Sequence, residues 1–166
     1  MKEIMLINIS GEDKPGVTAA VTEVLAGFDV NVLDIGQAFI HDTLALGVLV
    51  ELPGPSDHVL KELLFRTHDL GLSVRMTPIS EESYGHWVAG QGRARYIVSL
   101  LARKITARHL ASVTGVVSRY GLNIDDIQRL SGRVPLGELP PLSKACVEFS
   151  VRGQLADTAA FRSDLL

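Results

Sequence analysis

The segment Gly11-Glu12-Asp13-Lys14-Pro15-Gly16-Val17 carries the residue types best suited to binding chemistry. It leads from a short apolar run, Ile4-Met5-Leu6-Ile7-Asn8-Ile9, into a stretch where Val17, Ala20, Val21, Val24 and Leu25 recur at helical spacing. Unpaired backbone N–H groups and the positive dipole end make a helix N-terminus attractive to an anion. Gly16 lacks a side chain, so a ligand could reach the backbone there, and Asp13 could meet an ammonium group. A small zwitterion asks for that pairing of donors and acceptor. The same residues also make a plain strand-to-helix turn with Pro15 as the first helical residue, and residue types alone favour the plain turn. Asn31, Asp34 and Gln37 are polar positions on the following strand, where solvent-facing alternation or a helix-end role explains them without a ligand.

Catalytic signatures are missing. No G-x-S-x-G elbow, Walker loop, C-x-x-C or H-E-x-x-H motif occurs. Gly90-Gln91-Gly92 starts as a dinucleotide loop would, then continues Arg93-Ala94-Arg95 without the third glycine and leads into a strand. The five histidines are scattered singly, so no ligand set for a metal converges. No catalytic residue, metal ligand or cofactor is assigned.

The elements around the first loop read as βαββαβ. Val30 to Ile40 forms a strand whose apolar positions are Val30, Val32, Ile35, Ala38 and Ile40, with an irregularity near Gly36 that suits a bulge. His41-Asp42 makes a hairpin turn, and Leu44, Leu46, Val48 and Val50 alternate as the next strand. Pro53 to Ser56 breaks the chain before a helix with Val59, Leu60, Leu63 and Leu64. Leu72 to Ile79 closes the set.

The plan then repeats. At an offset of 92, Val21, Thr22, Val24, Asn31, Asp34 and Ile35 fall on Val113, Thr114, Val116, Asn123, Asp126 and Ile127. Tyr96–Leu101, Thr106–Tyr120, Leu122–Leu130 and Ala145–Val151 become strand, helix, strand and strand, with a Pro- and Gly-rich connection from Ser131 to Ser143. The expected fold class is α+β: two ferredoxin-like units at 1–80 and 94–166, joined by a linker at 81–93 anchored by Trp87. The partner of Leu72–Ile79 would fall beyond residue 166, so the second unit lacks its last strand. A fragment of a longer protein, or completion by another chain, is the expectation.

The chain has 166 residues, is 46% hydrophobic and carries a net charge of −3. That charge divides unevenly: residues 1–92 have five basic against 13 acidic residues, and residues 93–166 have 11 against six. Cys146 is the single cysteine, which excludes an intrachain disulfide. No apolar run approaches the ~18 residues of a membrane span, and no secretory leader pattern opens the chain. A soluble, cytoplasmic protein without a membrane partner is expected.

Gly11 to Val17, a helix and then Asn31-Val32-Leu33-Asp34-Ile35-Gly36-Gln37 resemble the ACT domain, a small-molecule regulatory module. The resemblance covers two domains in tandem. Asp34–Gln37 with Ile40–Leu44, Ser80–Val88, Gly121–Asp125, Arg129–Arg133 and Glu148–Gly153 further resemble the amino-terminal region of bacterial phosphoserine phosphatases. That resemblance implies a haloacid-dehalogenase-type catalytic domain with a D-x-D-x-T aspartate nucleophile and magnesium. The motif is absent here, so the chain alone should not be an enzyme. It also implies an amino acid, L-serine, held between the strand-helix loop of one domain and the facing strand of a partner. The residues carried over are Gly11, Asp13, Pro15, Gly16, Val17, Asn31, Ile35 and Gln37. The second loop, Arg103-Lys104-Ile105-Thr106-Ala107-Arg108, lacks Gly and Pro, and packing and dimerisation are expected of it.

A homodimer is therefore the expected assembly. The basic second half raises an alternative, a free-standing tandem ACT regulator of the glycine-cleavage repressor type. Its arginines are spread over several elements without aromatic interleaving, which disfavours nucleic acid as a partner. A ligand-free dimerisation module is the remaining alternative.

Overall fold

The computed structural model describes residues 2–137 and 144–166. Pro140 and Pro141 of the Ser131–Ser143 connection lie outside the described residues. The chain divides into two compact units, Met1–Ala89 and Gly90–Leu166. Among the described residues, no helix is long and apolar enough to cross a membrane.

The first unit runs β1 (Glu3–Glu12), α1 (Val17–Ala26), β2 (Asn31–Ile40), β3 (Thr43–Leu52), α2 (Asp57–Asp69), β4 (Ser73–Ile79) and α3 (Glu81–Ala89). Its sheet is antiparallel in the order β2-β3-β1-β4. Alternate residues of β1 and β3 are buried: Met5, Ile7 and Ile9, then Leu44, Leu46, Val48, Val50 and Leu52. They pack against Val17, Val21 and Leu25 of α1 and Val59 and Leu63 of α2, so both helices cover one face. Thr67, the buried polar residue of this core, satisfies its hydroxyl by donating to the Leu63 carbonyl at 2.7 Å.

Three local expectations change. Helix α1 starts at Val17 rather than Pro15, because Gly16 is its N-cap with φ of 91°. A left-handed residue cannot sit inside a right-handed helix, so Pro15 belongs to the preceding turn. The bulge in β2 falls between Val32 and Asp34, while Gly36 pairs regularly with Gly47. Beyond that bulge the pleat places Ile35, Gln37 and Phe39 opposite Val48, Leu46 and Leu44. Ala38 and Ile40 therefore belong to the other face, opposite Ala45 and Thr43. Residues 81–89, read as linker, are helical, and Tyr84 and Trp87 stand 5.9 Å apart between ring centres. They share a cavity with Leu6, Leu49 and Ile79.

The second unit runs β5 (Arg95–Ala102), α4 (Ala107–Arg119), β6 (Asn123–Arg129), β7 (Ala145–Arg152) and α5 (Thr158–Leu165). Its antiparallel sheet has three strands in the order β5-β7-β6. These strands take the places of β1, β3 and β2, and the bulge recurs between Ile124 and Asp126, 92 residues after the first. Among the described residues no strand lies beside β5 where β4 lies beside β1. Accordingly Tyr96, Val98 and Leu100 are half-buried, where Met5, Ile7 and Ile9 are fully buried. Both units are α+β and ferredoxin-like, the second with three strands among the described residues.

Candidate functional site

The first strand-helix loop is pinned at its start. Gly11 pairs with Leu44 and Glu12 with Thr43, and the Asp13 amide donates to the Asp42 carbonyl at 2.7 Å. A side chain at Gly11 would place Cβ 2.7 Å from the Leu72 side chain, so this glycine admits the close approach of the turn before β4. Asp42 also accepts from its neighbour in the hairpin turn, and the His41 ring holds its carboxyl below the ordinary carboxylate range. His41 supplies the turn's positive φ, at 58°.

Gly16 then leaves the helix start open. No side chain caps α1, and nothing lies within 4 Å of where a Gly16 Cβ would stand. The Val17 amide donates to the Lys14 carbonyl at 3.3 Å, which leaves the next amides of the first turn as donors beside an empty space. Asp13 and Pro15 lie exposed on the loop, with Lys14 paired to Glu12 at 3.2 Å. Val17 points inward and belongs to the core.

Strand β2 supplies the facing wall. Gln37 lies on the helix side of the sheet, and Thr18 Oγ1 in the first turn of α1 donates to its Oε1 at 2.7 Å. That contact occupies the carbonyl end of the Gln37 amide and leaves its NH₂ donors for another partner. Ile35, two residues earlier on the same face, is 50% exposed. Asn31 is not part of this group. It sits at the other end of β2, on the opposite face, and donates to Glu51 at 3.4 Å. Lys2 binds the same carboxylate at 3.1 Å and, together with Asn31, holds the Glu51 carboxyl below its ordinary range.

The structure thus gathers Gly16, Gln37 and neighbouring Ile35, with Asp13 on the approach. Thr18 joins them, a residue that sequence reasoning missed. Its type and spacing carry no signal; only the register of β2 against α1 brings it to Gln37. Among the described residues no group of three or more His, Cys, Asp or Glu could hold a metal ion.

The second loop is built differently. Thr106 caps α4, accepting from the His109 amide at 3.4 Å, while its own amide donates to His109 Nδ1 at 3.2 Å. This capping box closes the helix start with the chain's own side chains. Thr106→Ala should cost about 1 kcal/mol, read as a lower denaturant midpoint for the second unit with an unchanged slope. In the sheet, Arg129 opposite Val147 takes the place of Gln37 opposite Leu46.

Residues 3–77 match the family model described as ACT domain. Over 138 residues the chain is 33% identical to the phosphoserine phosphatase SerB2 of Mycobacterium tuberculosis, covering 78% of this chain and 31% of that protein. Over 149 residues it is 29% identical to the phosphoserine phosphatase of Streptomyces coelicolor, covering 90% of this chain and 33% of that one. The chain therefore spans about a third of the length of these curated relatives. A solved structure of an unknown protein from Galdieria sulphuraria superposes with a TM-score of 0.76 at 15% identity, covering 99% of this chain and 90% of that chain. At that identity the likeness concerns the fold alone.

Proposed function

Since residues 3–77 match the ACT domain family model, we propose that the chain is the regulatory region of a phosphoserine phosphatase and that its first unit binds L-serine. The observation that carries this reading is the open start of α1. Gly16, left-handed and uncapped, faces empty space beside Gln37. The serine carboxylate would take the first-turn amides, and Asp13 would meet the ammonium group. Phosphatase chemistry, with its aspartate nucleophile and magnesium, is assigned to none of these residues and would belong to the catalytic part of such an enzyme. Serine would regulate that part only as far as it favours one arrangement of the protein over another.

Calorimetry with L-serine tests the site. A saturable heat is expected, lost in Gly16→Val; the absence of heat, or heat unchanged by that substitution, removes the assignment.

We also propose that β2 is the edge through which two copies associate. Val32, Ile35 and Phe39 are about half exposed and Ile40 is 78% exposed on a strand that, among the described residues, pairs only with β3. Such an edge offers unpaired backbone groups and apolar side chains together. Phe39→Asp is expected to shift sedimentation from dimer to monomer. A variant that still sediments as a dimer would place the interface elsewhere.

A further inference from the structure

We propose that the first unit carries, on the face of its sheet turned away from α1 and α2, a binding site for a small organic cation: an ammonium group on an apolar body. The site lies across the sheet from Gly16 and Gln37, so it stands or falls apart from the serine reading. It begins with the bulge in β2. Val32 stands opposite Val50 on the helix side, and in a regular strand Asp34 would share that side. The extra residue, Leu33, turns Asp34 to the outer face instead, opposite Leu49, which in turn stands opposite Leu6 of β1. Strand β4 ends at Ile79 and α3 starts at Glu81, carrying Tyr84 and Trp87 over this face. Sheet and helix enclose a cavity of about 330 Å³, at the small end of the range for small-ligand pockets.

Asp34 is the one charged side chain among the described residues that line this cavity. Its Oδ1 accepts from the Ile35 amide at 2.9 Å, which steadies the carboxylate, and its Oδ2 has no partner among the described residues. A carboxylate beside apolar walls, with no cation to pair it, attracts a positive ligand. Tyr84 and Trp87 supply the second attraction. Their rings are inclined at 37° rather than stacked flat, and Trp87 is 40% exposed, so ring surface stays open. The electron-rich face of such a ring binds ammonium groups. Leu6, Leu49 and Ile79 would receive the apolar body. A zwitterion fits worse, because Asp34 repels its carboxylate and no basic residue lines the cavity. Nor does the start of α3 offer a free anion site there, since the Ser83 amide already donates to Ser80 Oγ at 3.1 Å. One carboxylate and two aromatic rings over an apolar floor therefore select an amine without an acid group.

The test titrates 2-phenylethylammonium into the full chain at neutral pH, with 2-phenylethanol, its uncharged counterpart, and L-serine in parallel. Trp87 is the single tryptophan, so its emission reports on this cavity. The amine should shift that emission in a saturable way, and 2-phenylethanol should bind about tenfold more weakly. Asp34→Asn should abolish the preference for amine over alcohol. Asparagine keeps an oxygen for the Ile35 amide, so the local turn survives that change. Trp87→Leu, read by calorimetry, should weaken the amine by about tenfold as well. Gly16→Val should leave amine binding intact, and L-serine bound at the first loop should leave the emission unmoved. Equal binding of 2-phenylethanol, full amine affinity in either cavity variant, or the absence of a saturable shift would overturn the proposal. So would loss of amine binding in Gly16→Val, which would place the amine at the first loop. An emission that shifts with protein concentration before any amine is added would put a second copy over this face instead.

Discussion

Phe149→Ala is expected to cost the second unit about 3–5 kcal/mol, enough to unfold it while the first unit stays folded. Phe149 is fully buried at the middle of β7, opposite Val98 of β5 and Ile127 of β6. Around it stand Val116, Val117, Leu122, Val147, Val151 and Phe161, a core of seven buried residues against fourteen in the first unit among the described residues. Tyr120 extends it by an edge-to-face contact with Phe161, ring centres 5.1 Å apart. Stability of a small unit is a narrow margin, commonly of order 5–15 kcal/mol for whole domains. A unit with half as many core residues and half-buried apolar side chains on β5 sits at or below the low end of that range. Truncating its largest core side chain removes transfer energy and leaves a cavity. Scanning calorimetry of the variant should show the second unit's transition lost and the first unit's midpoint unmoved. Loss of both transitions together would show that the units do not unfold independently.

The contrast between the two cores was only partly legible in the sequence. Alternation in Leu44–Val50 and Ala145–Val151 and helical spacing in Val17–Leu25 read correctly, because local period and burial agree there. The duplication at an offset of 92 was legible, and the recurring bulge at Leu33 and Asp125 is its structural counterpart. The position of that bulge was not. A bulge is decided by which residues face each other across two strands, and Gly36 attracted the reading on residue type alone. The exposure of Val32, Ile35 and Phe39 was equally hidden, since apolar residues on an edge strand look like core residues until the helices above them are placed.

The same limit governs the candidate sites. The loop Gly11–Val17 could be read from its glycines and its place before a helix. Thr18 could not, since it matters through Gln37, 19 residues further along the chain. Arg129 sits at the register position of Gln37, next to a loop that replaced Glu12 and Asp13 with Arg103 and Lys104. One framework thus presents an open helix start beside an acidic loop in one unit and a capped helix beside a basic loop in the other. The charge difference between the halves therefore has a local meaning at these two loops.

Gly16 offers the sharpest separation of backbone and ligand effects. Gly16→Ala should lower the stability of the first unit by about 1–2 kcal/mol, the cost of holding a Cβ in the left-handed region. No steric contact adds to that cost, since nothing lies within 4 Å of the new methyl group. Gly16→Val should cost more, because a β-branched side chain at φ of 91° is strongly disfavoured. It would also fill the space above the first-turn amides, and L-serine affinity should fall by about 100-fold, equivalent to roughly 2.7 kcal/mol. Alanine, with one small carbon in that space, should weaken serine by much less than valine does. Denaturant midpoints and calorimetric affinities measured on both variants distinguish the causes. If affinity follows stability alone, falling equally per kcal/mol in the two variants, serine senses only the strain at the loop. If valine loses binding out of proportion to its loss of stability, the vacant space over Gly16 is where the ligand sits.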